Sequence, residues 1–164
     1  MMYNIMNSKG LPRDIKNFKT ANKYFVVPLF RLNILQLFGA GFIFVLVRTI
    51  GRKSLKRRYT PLEYRKFGNK YYLFASRGKK ADWFRNLKAQ PEEFRIKHHF
   101  FWKEPNFREV ESTEEKTNLF KDYCSRYKMA SKSFFGYDSK VDSIEDGDFE
   151  ELSKFIRVIE FTFE

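Results

Sequence analysis

Arg58-Tyr59-Thr60-Pro61-Leu62-Glu63-Tyr64-Arg65-Lys66-Phe67-Gly68-Asn69-Lys70-Tyr71-Tyr72-Leu73-Phe74-Ala75-Ser76 reads as two strands joined by a tight turn. Residues 58–67 alternate loosely between apolar and polar side chains, the period of a half-buried strand. Gly68-Asn69 supplies the positive-φ positions that a two-residue hairpin needs. Lys70–Ser76 returns as the partner strand, carrying Tyr71, Tyr72 and Phe74. Upstream, Phe42–Thr49 is rich in Phe, Ile and Val and reads as a buried strand, linked to the hairpin through residues 51–56. The centre of the chain is therefore a β-meander.

Outward from this centre the elements are shorter. A helix is expected over 81–90, stopped by Pro91. Glu93–Trp102 and Phe107–Ser112 read as two further strands, with Pro105 and Asn106 at the bend between them. Ser112-Thr113-Glu114-Glu115 is a capping box, so a helix opens there and buries Leu119, Phe120, Tyr123, Cys124 and Tyr127. After Met129 the pattern loosens. Asp148–Phe155 reads as a short helix and Ile156–Phe163 as a closing strand, with Phe161 and Phe163 on one face. About six strands with flanking helices on 164 residues give one mainly β, α+β domain: a small barrel body over 42–164 behind an N-terminal helical segment, 12–37.

The N-terminal segment is apolar enough to raise the question of a membrane span. The stretch Phe25–Val47 contains Pro28, Arg31, Asn33, Gln36, Gly39 and Gly41. A charge at mid-bilayer costs about 2.5–3.5 kcal/mol, so an amphipathic helix over 14–37, kinked or broken near Pro28, is the better reading. Its wide apolar arc covers the core or touches lipid or substrate. Met1–Lys9 is polar and carries no signal-peptide pattern.

Charge and chemistry narrow the function. The formal net charge is +12. Residues 48–80 hold twelve basic side chains against one acid, Glu63, so this segment alone carries +11. Residues 141–164 are acidic. One concentrated basic segment points to an anionic partner: nucleic acid, a membrane surface or a phosphate-bearing small molecule. Aromatic residues make up 19% of the chain, which excludes disorder over most of its length. Cys124 is the single cysteine, so an internal disulfide and a Cys-based zinc cluster are excluded, in keeping with a cytoplasmic setting. His98 and His99, as strand neighbours, are expected on opposite faces, unable to chelate one metal, and no metal site is expected. Ser-His-Asp spacing, paired carboxylates, a Walker loop and a dinucleotide fingerprint are absent, so catalysis would rest on a bound cofactor.

Three local signals remain. Gly51-Arg52-Lys53-Ser54-Leu55-Lys56-Arg57-Arg58 places cations and a hydroxyl beside free backbone N–H groups, either a phosphate site or a solvated loop. Ala75-Ser76-Arg77-Gly78 would let a flat ligand approach the backbone. Asp82-Trp83-Phe84-Arg85-Asn86-Leu87 carries a tryptophan that belongs either to the core or to a pocket wall.

The runs Val45–Ser54, Arg58–Leu62, Ala75–Gly78 and Asp82–Pro91, in this order and spacing, resemble the deazaflavin (F420)-dependent nitroreductase and quinone reductase family. The segment Asn22–Leu32 resembles the N-terminal helix of one branch. The resemblance implies a split β-barrel of the flavin mononucleotide (FMN)-binding type. It also implies an oxidoreductase that uses reduced coenzyme F420 to transfer a hydride to a quinone, nitro compound or similar electrophile. It implies cofactor-binding roles for Arg52, Lys53, Ser54 and Arg58 at the phosphate and acidic tail. Thr60, Pro61 and Leu62 would lie along the ring system, Ala75, Ser76, Arg77 and Gly78 would give a second backbone contact, and Trp83 would stand near the ring. Tyr137, Tyr127 and Ser76 are the candidate catalytic hydroxyls. The sequence departs from the family at Leu55, where glycine is common, and at Arg57, where proline occurs. FMN in place of F420, a nucleic-acid binder using 48–80, and a peripheral membrane protein anchored by 14–37 remain open, as does the choice between monomer and homodimer.

Overall fold

The computed structural model describes residues 20–135, 137–138, 143–145 and 147–163, the side chains at 133 and 134 excepted. The expectations for Met1–Lys9, and for the helical segment before residue 20, lie outside the described residues.

The chain enters through a π-helical turn, Asn22–Val26, that runs into α1, Val27–Arg31. Pro28 can neither donate to residue 24 nor leave room for that carbonyl. The π register just before it, with the Val27 N–H reaching back to Asn22 O, absorbs the problem without breaking the helix. The break lies further on than Pro28. Asn33 adopts a left-handed conformation (φ 66°) and separates α1 from a short α2, Ile34–Leu37. A 3-10 turn, Ala40–Phe42, then delivers the chain to the sheet.

Among the described residues, seven strands form one antiparallel sheet, one more than the sequence suggested. They are β1 Phe44–Ile50, β2 Arg57–Phe67, β3 Lys70–Ala75, β4 Arg95–His98, β5 Phe101–Lys103, β6 Asn106–Glu109 and β7 Arg157–Thr162. Their order is β5-β4-β1-β2-β3-β7-β6. The extra strand comes from the run read as a single strand over 93–102. It is a hairpin, β4–β5, turned at His99 (φ 52°).

The long strand β2 joins the two halves. Its first part, Arg57–Glu63, pairs with β1, and its last part, Tyr64–Phe67, pairs with β3. The sheet curls about this strand into a half-barrel. Its two edge strands, β5 and β6, are consecutive in the chain and separated only by Glu104-Pro105, yet they do not pair. The seam so left open holds a cleft of about 540 Å³ lined by Lys103, Glu104, Asn106 and Phe163.

Alternation along the strands sorts the core into two clusters. Val45, Val47, Tyr64, Leu73, Ala75, Ile96, Ile159 and Phe161 face inward, where α3, Asp82–Ala89, adds Trp83, Phe84 and Leu87. The outer face is covered in two places. The Asn22–Arg31 segment packs on β1 and β2 and receives Lys97 of β4 at its last carbonyl, while α4, Thr113–Arg126, α5, Lys128–Phe135, and α6, Phe149–Phe155, enclose Tyr72, Val158, Phe120, Tyr123 and Cys124. The Ser112 hydroxyl accepts the Glu115 N–H at 3.2 Å, one half of the expected capping box, while the Glu115 carboxylate is taken by Arg108. Asp148 caps α6 in the same way through the Glu151 N–H at 3.0 Å.

Candidate functional site

The basic loop is a compact turn between β1 and β2. The Gly51 N–H donates to Lys56 O at 2.9 Å and the Leu55 N–H to Gly51 O at 2.8 Å. Leu55 takes φ 52°, the left-handed conformation that glycine adopts at no cost. Gly51 itself is buried, and a Cβ there would meet Ser54 Oγ at 2.6 Å and Arg58 Nε at 3.2 Å. Ser54 and Arg58 are thus folded over the glycine, and the Arg58 guanidinium donates to Ser54 Oγ at 3.1 Å. Lys53, Lys56 and Arg57 point into solvent around them.

The loop is anchored by α3. Asn86, buried at 5% exposure, accepts the Arg52 backbone N–H at 3.2 Å and the Arg52 guanidinium at 3.0 Å. Asp82 accepts the same guanidinium at 3.3 Å. Asp82 and Asn86 are four residues apart on one helix and so share a face. Sequence reasoning passed over both as site residues, although that spacing beside a basic loop was the available signal.

The structure brings Ser54 and Arg58 together over Gly51, with Lys53 exposed beside them, while the Arg52 guanidinium turns to Asn86 and Asp82 of α3. This donor set suits a phosphate, because charge-assisted donors converge there and the loop has no acid of its own. Thr60, Pro61 and Leu62 follow along β2, all half-buried. Thr60 and Leu62 stand opposite Val47 and Val45 in the register, and Leu62 packs on the inner core. Ala75 is buried at the end of β3, and Ser76 and Arg77 are half-buried beyond it. Gly78 has φ 54°, and a Cβ on it would meet Phe155 O at 2.4 Å. The close approach that Gly78 permits is therefore made by the backbone at the end of α6. Trp83 is 7% exposed and packs edge-on against Phe84 in the inner core.

The hydroxyl candidates are spread out. Tyr137 is 3% exposed and lies in the outer cluster near Phe149. Tyr127 is half-buried under the Arg65 guanidinium, 4.1 Å from its ring centre. Arg65 pairs with Glu63, which accepts the Tyr123 hydroxyl at 2.9 Å. Burial pushes the Tyr123 phenol up to about 12, so it stays protonated. This Glu63–Arg65–Tyr123–Tyr127 network sits on the outer face of β2. Seven residues of strand, on the order of 23 Å, separate Arg65 from Arg58.

The histidine expectation is corrected. His99 lies in a turn, so strand alternation does not apply, and the two imidazole rings are 4.1 Å apart. His98 Nε2 is 3.3 Å from the Tyr64 hydroxyl, which donates to Gly41 O at 3.0 Å. Among the described residues, no group of three His, Cys, Asp or Glu side chains is placed to hold a metal. No helix among them is long and apolar enough to cross a membrane.

A comparison with curated proteins found no match. Among solved structures, one described as an F420-H2 dependent reductase shares 26% identity, covering 72% of this chain and 92% of that one, with a TM-score of 0.44. One described as a domain-swapped dimer shares 24% identity over 72% of this chain and 78% of that one, with a TM-score of 0.47. ChuZ of Campylobacter jejuni, at 11% identity and a TM-score of 0.50, aligns over 97% of this chain and 57% of its own. At that identity the likeness is one of fold alone. The fold is the mixed α+β split barrel expected from the sequence. The model of the F420H(2)-dependent quinone reductase family matches residues 35–144, more than half of the chain. The chain is thus an oxidoreductase and belongs to the F420H(2)-dependent quinone reductase family.

Proposed function

We propose that the chain holds a reduced deazaflavin through the Gly51–Arg58 loop and serves the reduction of a quinone or nitro compound, an electrophilic small molecule. The observation that carries this reading is the cradle in which Ser54 and Arg58 close over Gly51 while Asn86 pins Arg52. Those donors fit the phosphodiester of the cofactor, and Lys53 lies beside them for its carboxylate tail. When bound, the reduced deazaflavin supplies a hydride to the acceptor.

The residues of this chain contribute binding and orientation. Thr60, Pro61 and Leu62 offer a half-buried strand surface leading away from the cradle. Ala75, Ser76 and Arg77 border it from the end of β3. Of the three hydroxyl candidates, Ser76 is half-buried at the end of β3 and can exchange protons with solvent there, whereas Tyr127 lies against the outer cluster beneath Arg65 and Tyr137 packs within it.

The test is a titration of the purified protein with the deazaflavin and, separately, with flavin mononucleotide. Saturable deazaflavin binding with weaker flavin binding supports the reading. Tight flavin binding with no deazaflavin binding overturns it in favour of the flavin alternative.

A second reading concerns the N-terminal face. Phe25, Leu32, Leu37, Phe38 and Phe42 are all more than two-thirds exposed. This apolar surface favours loose contact with a membrane, which suits a lipophilic acceptor. Co-sedimentation with vesicles tests it, and recovery of all the protein in the supernatant would refute it.

A further inference from the structure

The outer face of β1, β2, β4 and β5 carries a second cluster of cations, separate from the basic loop. Arg48 of β1 stands opposite Tyr59 of β2 in the register, and Lys97 of β4 stands opposite both Leu46 of β1 and Trp102 of β5. Arg31 reaches over from the end of α1. Its guanidinium lies 4.9 Å from the Tyr59 ring centre. The Arg48 guanidinium and the Lys97 ammonium lie 5.9 and 6.0 Å from the ring centre of Trp102, and the two rings are 5.9 Å apart. Three cations thus crowd around two touching rings.

Nothing acidic balances them. Among the described residues, none of Arg31, Arg48 and Lys97 forms an ion pair. The nearest cation in the register, Arg95, has its own carboxylate, Glu104, at 2.9 Å. Lys97 is 3% exposed and donates to Arg31 O at 2.7 Å, so it closes the C-terminus of α1. That contact accounts for one of its protons and leaves its charge uncompensated. Burial and the neighbouring Arg31 both push its ammonium below the ordinary lysine value. The Nε of Arg48 is buried and has no hydrogen-bond partner, a costly condition for a charged donor. The ring faces hold the cations in place but accept no hydrogen bond of comparable strength.

We propose that this cluster is a second anion site, which takes the phosphate group of a soluble phosphate ester. Its compactness selects the ligand. All three cations lie around one pair of rings, with Lys97 sunk beneath the surface so that it adds charge to the site without touching the ligand. A single multivalent group resting on the Arg31 and Arg48 guanidiniums can offset the charge of all three. The site is distinct from the cofactor cradle. Successive side chains point to opposite faces of a strand, so Arg48 and Tyr59 face outward while Thr49 and Arg58, the neighbouring register pair, face the other way.

Trp102 reports on the site directly. The chain has two tryptophans, and Trp83 is buried while Trp102 is 39% exposed. Titration of the full chain with inorganic pyrophosphate should give a saturable change in tryptophan fluorescence that disappears in Trp102→Phe. The change should persist in Arg58→Gln, which alters only the cofactor cradle. Its apparent affinity should fall about tenfold or more in Arg48→Met and in Arg31→Met. Arg31 lies on an exposed helix, so Arg31→Met keeps the test valid if Arg48→Met does not fold. The proposal is overturned by an absent response or by an equal response to chloride at matched ionic strength. A response lost in Arg58→Gln but unchanged in Arg31→Met also overturns it.

Discussion

The backbone N–H of Arg52 and its guanidinium both donate to one atom, Oδ1 of Asn86, at 3.2 and 3.0 Å. This shared acceptor ties the basic loop to α3 and fixes the side chain that opens the cradle. Replacing Asn86 with Ala leaves a half-buried N–H without an acceptor, which costs about 1 kcal/mol. The expected outcome is a lower denaturant midpoint together with weaker deazaflavin binding. Asp82→Asn, at an exposed partner, should change stability far less, within about 0.5 kcal/mol.

Gly78 combines a left-handed backbone with a carbonyl, Phe155 O, where a side chain would begin. A Gly78→Ala variant must leave its φ of 54° or push α6 away. The conformational penalty alone is roughly 1–2 kcal/mol, and the collision with backbone adds to it. Thermal unfolding should show a clear fall in Tm. Gly68→Ala shares the positive φ but has nothing within 4 Å, so it should lose only the conformational part. Equal losses in the two variants would contradict this account.

His98 is held neutral. Burial, reinforced by His99, Lys103 and Lys66, pushes its imidazole down to about 4. The unfolded chain protonates near pH 6.5, so between 6.5 and 4 the unfolded state binds more protons than the native one. Stability therefore falls as the pH drops from 6.5 through 4 and gains nothing further from this residue above 6.5. Denaturation curves collected across that window should show the decline. His98→Phe, which keeps the ring among Tyr64, Tyr71 and Phe163, should flatten it.

Cys124 is fully buried in the outer cluster, and burial pushes its thiol up to about 11. The native protein should resist thiol reagents at pH 8 and react in full only after unfolding. Rapid labelling of the folded protein would show that α4 opens far more readily than its packing implies.

The β2–β3 hairpin was legible because Gly68-Asn69 and the strand alternation carry their information locally, and the cap at Ser112 was legible for the same reason. The β4–β5 turn was not. His99 takes a left-handed conformation in a run with no glycine or proline, and Phe100, Phe101 and Trp102 continue the apolar pattern straight through it. The break at Asn33 was misplaced to Pro28 because the π register that accommodates the proline leaves no mark in the sequence. In the site, the basic residues were visible by composition. The anchor at Asn86 and the meeting of Arg31, Arg48 and Lys97 were not, since each joins residues more than fifteen positions apart through the folding of the sheet.

The measurement that bears most directly on the central claim is the affinity of the deazaflavin for the wild-type chain and for Arg58→Gln, followed by fluorescence titration. Arg58 lies exposed over Gly51, so its loss should leave the fold intact. One charge-assisted contact is worth about 1.5–3 kcal/mol, so the dissociation constant should rise by roughly ten- to a hundredfold. An unchanged dissociation constant in Arg58→Gln would contradict the assignment of this loop as the cofactor's phosphate site.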